Sequence, residues 1–238
     1  NKQNEILPAD LRSNDKTQNR LRVEFEPYTK LYYSGGRRGN NRPSRSKEIL
    51  DPYIVAQSLL AFHGDCVTAY NSKNDLWSND KLYSSIFPEN LAAKYIIFTY
   101  SLSRAIDSYK LELQQKGESR MEIEDKQHKF LGKRGSKMLL LYTIAKCMEG
   151  VIGKKINDNW TLSFCDSSDF DKLIRLWKIV IQSILPVAYS PLEGALKDGL
   201  KSRELSDSAA TTVVGLLTAI QDTLRLQLKK FTDELEIG

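Results

Sequence analysis

The sequence predicts a mainly α protein: an irregular helical bundle with an extended N-terminal arm and one or two short strands. Three observations carry that expectation. After residue 50, apolar side chains recur at intervals of three and four, the period of a helix with one buried face. The pairs Asp51-Pro52 and Ser190-Pro191 mark helix starts: a capping oxygen is followed by a proline whose missing N–H costs nothing in the first turn. By contrast, Arg37 to Ser46 (RRGNNRPSRS) is loop chemistry. The expected division is a polar and basic arm over 1–50, with one helix and a short strand, and a helical domain over 51–238.

Each element follows in order. Residues 1–12 are polar, carry Pro8 and read as extended. Asp15 caps a helix, with Gln18 in capping-box position and Leu21 and Phe25 one turn apart. Pro27 ends it. Tyr28 to Tyr33 is rich in aromatic and β-branched types and suits a short strand, which Gly35-Gly36 breaks. The helix from Pro52 shows Leu59, Leu60 and Phe62 on an apolar side and stops at Gly64. Short pieces follow over 65–89, around Leu76, Trp77, Tyr83, Ile86 and Phe87. A helix over about 90–115 has the cleanest stripe: Leu91, Tyr95, Phe98, Leu102, Ala105, Tyr109 and Leu113. The charged stretch 116–126 reads as a loop. A helix is expected over 127–152, apolar on most sides after Met138, with Gly132-Lys133-Arg134-Gly135 as a break at its entrance. Residues 153–168 read as a connector with a short strand near Trp160. The next helix runs from Phe170 to Ile184, limited by Pro186, and a short one starts at Ser190. The last is expected over about 205–235, with Leu205, Ala209, Val213, Leu216, Ile220, Leu224, Leu228, Phe231 and Leu235 on its stripe.

Composition narrows the function classes. With 238 residues, 41% hydrophobic and 27% charged, the chain is neither disordered nor fibrous. No apolar run approaches the roughly 18 residues a membrane span needs, so no membrane partner is expected. The polar opening Asn1-Lys2-Gln3-Asn4 is unlike a secretory signal, and a start without Met suggests a fragment or processed product. Three scattered cysteines, Cys66, Cys147 and Cys165, argue against a disulfide framework and for a cytoplasmic setting.

Charge is concentrated. The chain carries +5, and residues 29–47 alone hold Lys30, Arg37, Arg38, Arg42, Arg45 and Lys47 with no acid, so the other 219 residues sum to −1. Such a segment points to phosphate or another acidic partner. Arginine presents a planar fork matched to phosphate oxygens, and Tyr32 and Tyr33 precede the cluster as candidates to stack on bases. The nucleic-acid contacts expected are therefore Arg37, Arg38, Arg42, Arg45, Lys47, Tyr32 and Tyr33; the bland alternatives are a solvated loop, or a loop paired with the protein's own acids.

Other chemistry is thinner. His63 and Cys66 form one close pair, with His128, Cys147 and Cys165 scattered, whereas structural zinc needs four ligands; no metal and no cofactor are expected. No glycine-flanked serine elbow or phosphate-binding glycine loop appears. A metal-dependent nuclease would draw on Asp65, Asp75 and Asp80, or on the Glu124-x-Lys126 spacing, yet no convergent acidic set is visible and caps explain these residues as well.

One resemblance rests on quoted residues. Asn1-Lys2-Gln3-Asn4, then Asp10-Leu11-Arg12-Ser13-Asn14-Asp15, Gln18 and Phe25, followed by Tyr32, Tyr33, Arg37 and Arg38, resembles the C-terminal domain of the abortive infection phage resistance family. The segments 55–62 (VAQSLLAF), 69–76 (AYNSKNDL) and 83–87 (YSSIF) follow in the family's order, so the resemblance covers about residues 1–100. It implies a prokaryotic cytoplasmic protein of antiphage defence, with an upstream region in longer members. It brings no catalytic residue. Read physically, Asn4, Arg12, Asn14 and Asp15 either fix turns through side chain-to-backbone bonds or line a polar pocket, with Arg12 within reach of Asp10 and Asp15. The expected function is a helical defence module contacting nucleic acid through the basic arm. The alternatives are a metal-dependent nuclease or hydrolase, and an assembly module, such as a homo-oligomer, built on the long apolar stripes.

Overall fold

The computed structural model describes residues 11–12, 14–25, 32–33, 49–152, 160–162, 169–220 and 235–237. Among them are ten α-helices and four strands of two or three residues, so the protein is mainly α. The order is α1 (Lys16–Phe25), β1 (Tyr32–Tyr33), β2 (Ile49–Leu50), α2 (Pro52–Phe62), α3 (Cys66–Asn71), α4 (Asp75–Ser78), α5 (Asp80–Ile86), α6 (Ala93–Gln115), α7 (Glu122–Gly132), α8 (Ser136–Ile152), β3 (Trp160–Leu162), α9 (Asp169–Ala195), α10 (Arg203–Ile220) and β4 (Leu235–Ile237).

The cleanest stripe builds the core. Tyr95, Phe98, Leu102, Ala105, Tyr109 and Leu113 of α6 are all buried. From α2, the Phe62 ring meets Phe98 edge-on at 5.8 Å. From α9, Trp177 lies 5.1 Å from Phe98 and its indole N–H donates to Ser101 Oγ at 3.0 Å. Each such side chain contributes about 2–3 kcal/mol through removal from water. As expected of a helix apolar on most sides, α8 is central: Leu139, Leu140, Leu141, Ile144 and Met148 are fully buried, against α2, α3 and α10. Leu21, Phe25, Tyr33 and Leu50 join the same core, so α1 and the first sheet share it with the helical body.

Local chemistry fixes several ends. Asp51 accepts from the Tyr53 N–H at 2.8 Å ahead of Pro52, and Gly64 follows α2 at φ 114°, a left-handed conformation that suits glycine. Ala92 gives α6 no side-chain cap; Glu24 of α1 supplies it from afar, accepting from the Ala93 N–H at 3.2 Å. Arg20, paired with Glu24 at 2.5 Å, donates to the carbonyls of Glu89 and Leu91. These contacts seat α1 on the connector before α6.

Four expectations change. The stretch 116–126 is a loop only in part: α7 starts at Glu122 because Glu124 reaches back to the Met121 N–H at 3.0 Å and closes the first turn. The helix expected over 127–152 is two, α7 and α8, divided at 133–135 where Gly135 takes φ 83°. The helix expected to stop at Pro186 and restart at Ser190 is continuous. Pro186 faces solvent, where water can satisfy the carbonyl it frees, while Leu185, Ala188 and Leu192 hold the other face in the core. By length and composition alone α9 is apolar enough to cross a membrane; here Leu173, Trp177, Ile181 and Ile184 are buried against the bundle. Last, the stripe on α10 holds at Ala209 and Val213 but not at Leu205 or Leu216. Ser206, Ala209, Ala210, Val213 and Leu217 are buried, whereas Leu205 is 54% and Leu216 36% exposed, and Leu235 belongs to a strand. Residues 221–234, with the rest of that stripe, lie outside the described residues.

The strands form two small sheets. β3 and β4 pair antiparallel, Thr161 opposite Glu236. β1 and β2 pair parallel, Tyr32 opposite Ile49 and Tyr33 opposite Leu50. A parallel pair requires a crossover of a dozen or more residues, and fifteen, 34–48, lie between these strands.

Candidate functional site

Arg37, Arg38, Arg42, Arg45 and Lys47 lie outside the described residues, as do Asn4 and the Tyr32 side chain. What the structure describes is the base on which that segment is mounted. It leaves the core at Tyr33 and returns at Ile49-Leu50, in one two-stranded sheet. Tyr33 is 2% and Leu50 1% exposed. The Tyr33 ring packs on Phe25 at 4.9 Å and its hydroxyl donates to Gln18 Oε1 at 2.5 Å. Both its faces and its polar end are occupied inside the protein, so the base-stacking role expected of Tyr33 does not fit its place. It is an anchor because strand β1 turns it toward the α1 stripe of Leu21 and Phe25.

Gln18 links that anchor to the rest of the fold. It is fully buried, and its Nε2 donates to the Tyr83 hydroxyl of α5 at 2.9 Å. The expected capping box is therefore half made: Asp15 Oδ1 accepts from the Gln18 N–H at 3.0 Å, while the Gln18 side chain turns inward to two tyrosines. Burial pushes the pKa of both Tyr33 and Tyr83 up, so each hydroxyl keeps its proton at neutral pH.

Arg12 closes the arrangement from the other side. Its Nε donates to the Trp77 carbonyl at 2.9 Å, Nη2 to Asp80 Oδ1 at 2.5 Å, and the guanidinium lies 4.3 Å over the Tyr83 ring. The Asp80 partner is 88% exposed, so the ion pair itself contributes little, under about 1 kcal/mol. The carbonyl bond and the stacked ring hold the guanidinium. Of the polar motif, Arg12 and Asp15 are thus drawn into one latch with Gln18, Tyr33, Trp77 and Tyr83, while Asn14 is exposed. Arg12 pairs across the fold with Asp80, not with the neighbouring Asp15. Trp77, Asp80 and Tyr83 are the residues that local reading missed: they lie 65 or more positions from their partners, and no periodicity connects them.

The residues of the rival chemistries are also placed. His63 Nε2 lies 2.8 Å from the Tyr95 hydroxyl, and desolvation pushes its pKa down to about 4 although part of the residue is exposed. Cys66 and Cys147 are buried free thiols, pushed up to about 11 and about 12 by burial. Asp65 caps α3 through the Thr68 N–H and pairs with Arg203 at 2.6 Å. Glu124 serves the Met121 N–H and Lys116; Asp125 holds Lys129 and Arg120; Lys126 pairs with Glu122. These groups are thus engaged in caps and ion pairs. Among the described residues, no three His, Cys, Asp or Glu side chains converge as a metal-binding set. Cys165 lies outside the described residues.

Comparison of the chain with protein-family models, with curated proteins and with solved structures returns no match.

Proposed function

We propose that the chain is a helical module of a prokaryotic, cytoplasmic antiphage defence protein of the abortive infection type, and that it contacts nucleic acid through Arg37, Arg38, Arg42, Arg45 and Lys47. The observation that carries the nucleic-acid reading is the mounting of this segment. Its cations stand between two strands that pair with each other and whose Tyr33 and Leu50 side chains are buried. Five positive charges fall within the fifteen residues between these two paired ends, and cations held close together attract a polyanion more strongly than the same charges spread along a free tail. The motif Asp10 to Gln18 supports the same reading, since its Arg12, Asp15 and Gln18 hold the root of the segment in place. The defence assignment rests on the likeness of residues 1–100 to that family.

The test is fluorescence anisotropy with a labelled duplex of about 20 base pairs, titrated at several salt concentrations. The variant with Arg37, Arg38, Arg42, Arg45 and Lys47 all changed to Ala is expected to bind at least about tenfold more weakly. The slope of log K against log salt is expected to fall by about 4, since each phosphate contact releases about 0.9 counterion. Parent-like affinity and slope in this variant would overturn the reading.

A further inference from the structure

Helix α1 holds two places in the fold at once. Through Gln18 it holds Tyr33, where the segment 34–48 leaves the core. Gln18 Oε1 accepts from the Tyr33 hydroxyl at 2.5 Å, and the Tyr33 ring packs on Phe25 of the same helix at 4.9 Å. Through Glu24 and Arg20 it holds the start of α6. Glu24 Oε2 accepts from the Ala93 N–H at 3.2 Å, and Arg20 donates to the carbonyls of Glu89 at 3.0 Å and Leu91 at 2.7 Å. Gln18 and Glu24 are six residues apart, about 9 Å along a helix axis.

Each of these contacts depends on α1 being wound. Glu24 stands one turn after Arg20, and their pair at 2.5 Å needs helical spacing. Leu21 and Phe25 face the core together for the same reason. Yet α1 has only ten residues, and a helix this short is marginal alone in water. Its winding therefore comes from docking, and its docking needs its winding. Such an element has two states, wound and seated or unwound and released. It buries two large apolar side chains, Leu21 and Phe25, whereas α8 alone buries Leu139, Leu140, Leu141, Ile144 and Met148. Release of α1 is thus a smaller event than unfolding of the bundle.

We propose that α1 is a strap coupling the root of the 34–48 segment to the first turn of α6, so that the two are seated together and released together. On release, Tyr33 loses the ring it packs on and the amide that accepts from its hydroxyl. In the same step Ala93 loses its cap, which Ala92 has no side-chain oxygen to replace. The first turn of α6 also carries Tyr95, whose hydroxyl lies 2.8 Å from His63 Nε2 at the end of α2. One helix thus links the anchor of the basic segment to a distant corner of the bundle. The strap gives that segment a control point, and its bearing on nucleic acid rests on the proposed function.

The experiment is hydrogen exchange of the full chain, followed by mass spectrometry, in the pair Val23→Ala and Val23→Gly. Val23 is 70% exposed and lies between Gln18 and Glu24, so the pair changes helix propensity and leaves both contacts in place. Glycine disfavours winding relative to alanine enough to shift the opening equilibrium about fivefold. The expected result is exchange about fivefold faster in Val23→Gly than in Val23→Ala at peptides covering 18–25, 32–33, 49–50 and 93–97, with 139–148 unchanged. Unchanged exchange at 32–33 or at 93–97 overturns the coupling. An equal rise at 139–148 also overturns it, since α1 then opens only with the whole bundle. Exchange is measured without nucleic acid, so the two readings separate. Coupled exchange in a chain that binds no duplex overturns the proposed function and keeps the strap. Uncoupled exchange in a chain that binds the duplex through 34–48 overturns the strap alone.

Discussion

The Tyr33 hydroxyl donates to Gln18 Oε1 at 2.5 Å, with Gln18 fully buried and its Nε2 turned to the Tyr83 hydroxyl. One amide thus satisfies two buried phenols from opposite directions, and joins the strand that carries the basic segment to α5.

That double role sets the effect of losing it. In Gln18→Leu both phenols stay buried without their amide partner, and each unsatisfied group costs about 1–3 kcal/mol. The expected loss of unfolding free energy is about 2–4 kcal/mol, read from the urea midpoint. Adding Tyr33→Phe to Gln18→Leu should recover about 1 kcal/mol, because one orphaned hydroxyl is removed. Additive losses in the double variant would contradict the arrangement.

The two glycines of the turn before α8 should respond in opposite senses. Gly135 holds φ 83°, and a Cβ there would meet Leu200 Cβ at 2.7 Å. Gly135→Ala therefore combines backbone strain with overpacking and is expected to cost about 2–4 kcal/mol. Gly132 ends α7 with nothing within 4 Å of an added Cβ and an ordinary φ, so Gly132→Ala is expected to stabilise by about 0.4–1 kcal/mol. Thermal midpoints of the two variants check the difference in sign.

The buried thiols make a pH-dependent case. Burial raises Cys66 to about 11 and Cys147 to about 12, from an ordinary value near 8.5. Neither should be alkylated by iodoacetamide at about pH 8 in the folded protein, and both should react in urea, as followed by peptide mass spectrometry. The unfolded thiols lose their protons first, so this contribution to stability is complete below about pH 8.5 and is lost as pH rises toward 11–12. Rapid labelling of either thiol in the folded protein would contradict its burial.

The legibility of the sequence follows the range of each interaction. Helix starts set by neighbours, such as Asp51 with Tyr53 and Asp15 with Gln18, were readable because cap and capped group lie two or three positions apart. The α6 stripe was readable because one face is buried along nearly its whole length. Pro186 misled, since whether a proline ends a helix depends on which way it faces, and that is decided by Leu185 and Ala188 meeting the core. Leu205 misled because polar Ser206, satisfied by the Ser202 carbonyl, takes the inner position. At the site, the cations of 34–48 and the Asp10–Gln18 motif were visible as residue types. Their connection through Tyr33, Tyr83 and Trp77 was not, because it arises only when chain segments some 65 positions apart meet.

The parallel pairing of Tyr32-Tyr33 with Ile49-Leu50 has an evolutionary consequence. Once the two ends of a stretch are fixed, doubling its length costs only about 0.6 kcal/mol of closure entropy. The number of residues spanning 34–48 can therefore drift by insertion or deletion with little penalty to the bundle, provided enough remain to bridge the crossover. Selection is left free to tune how far this stretch extends and what it carries.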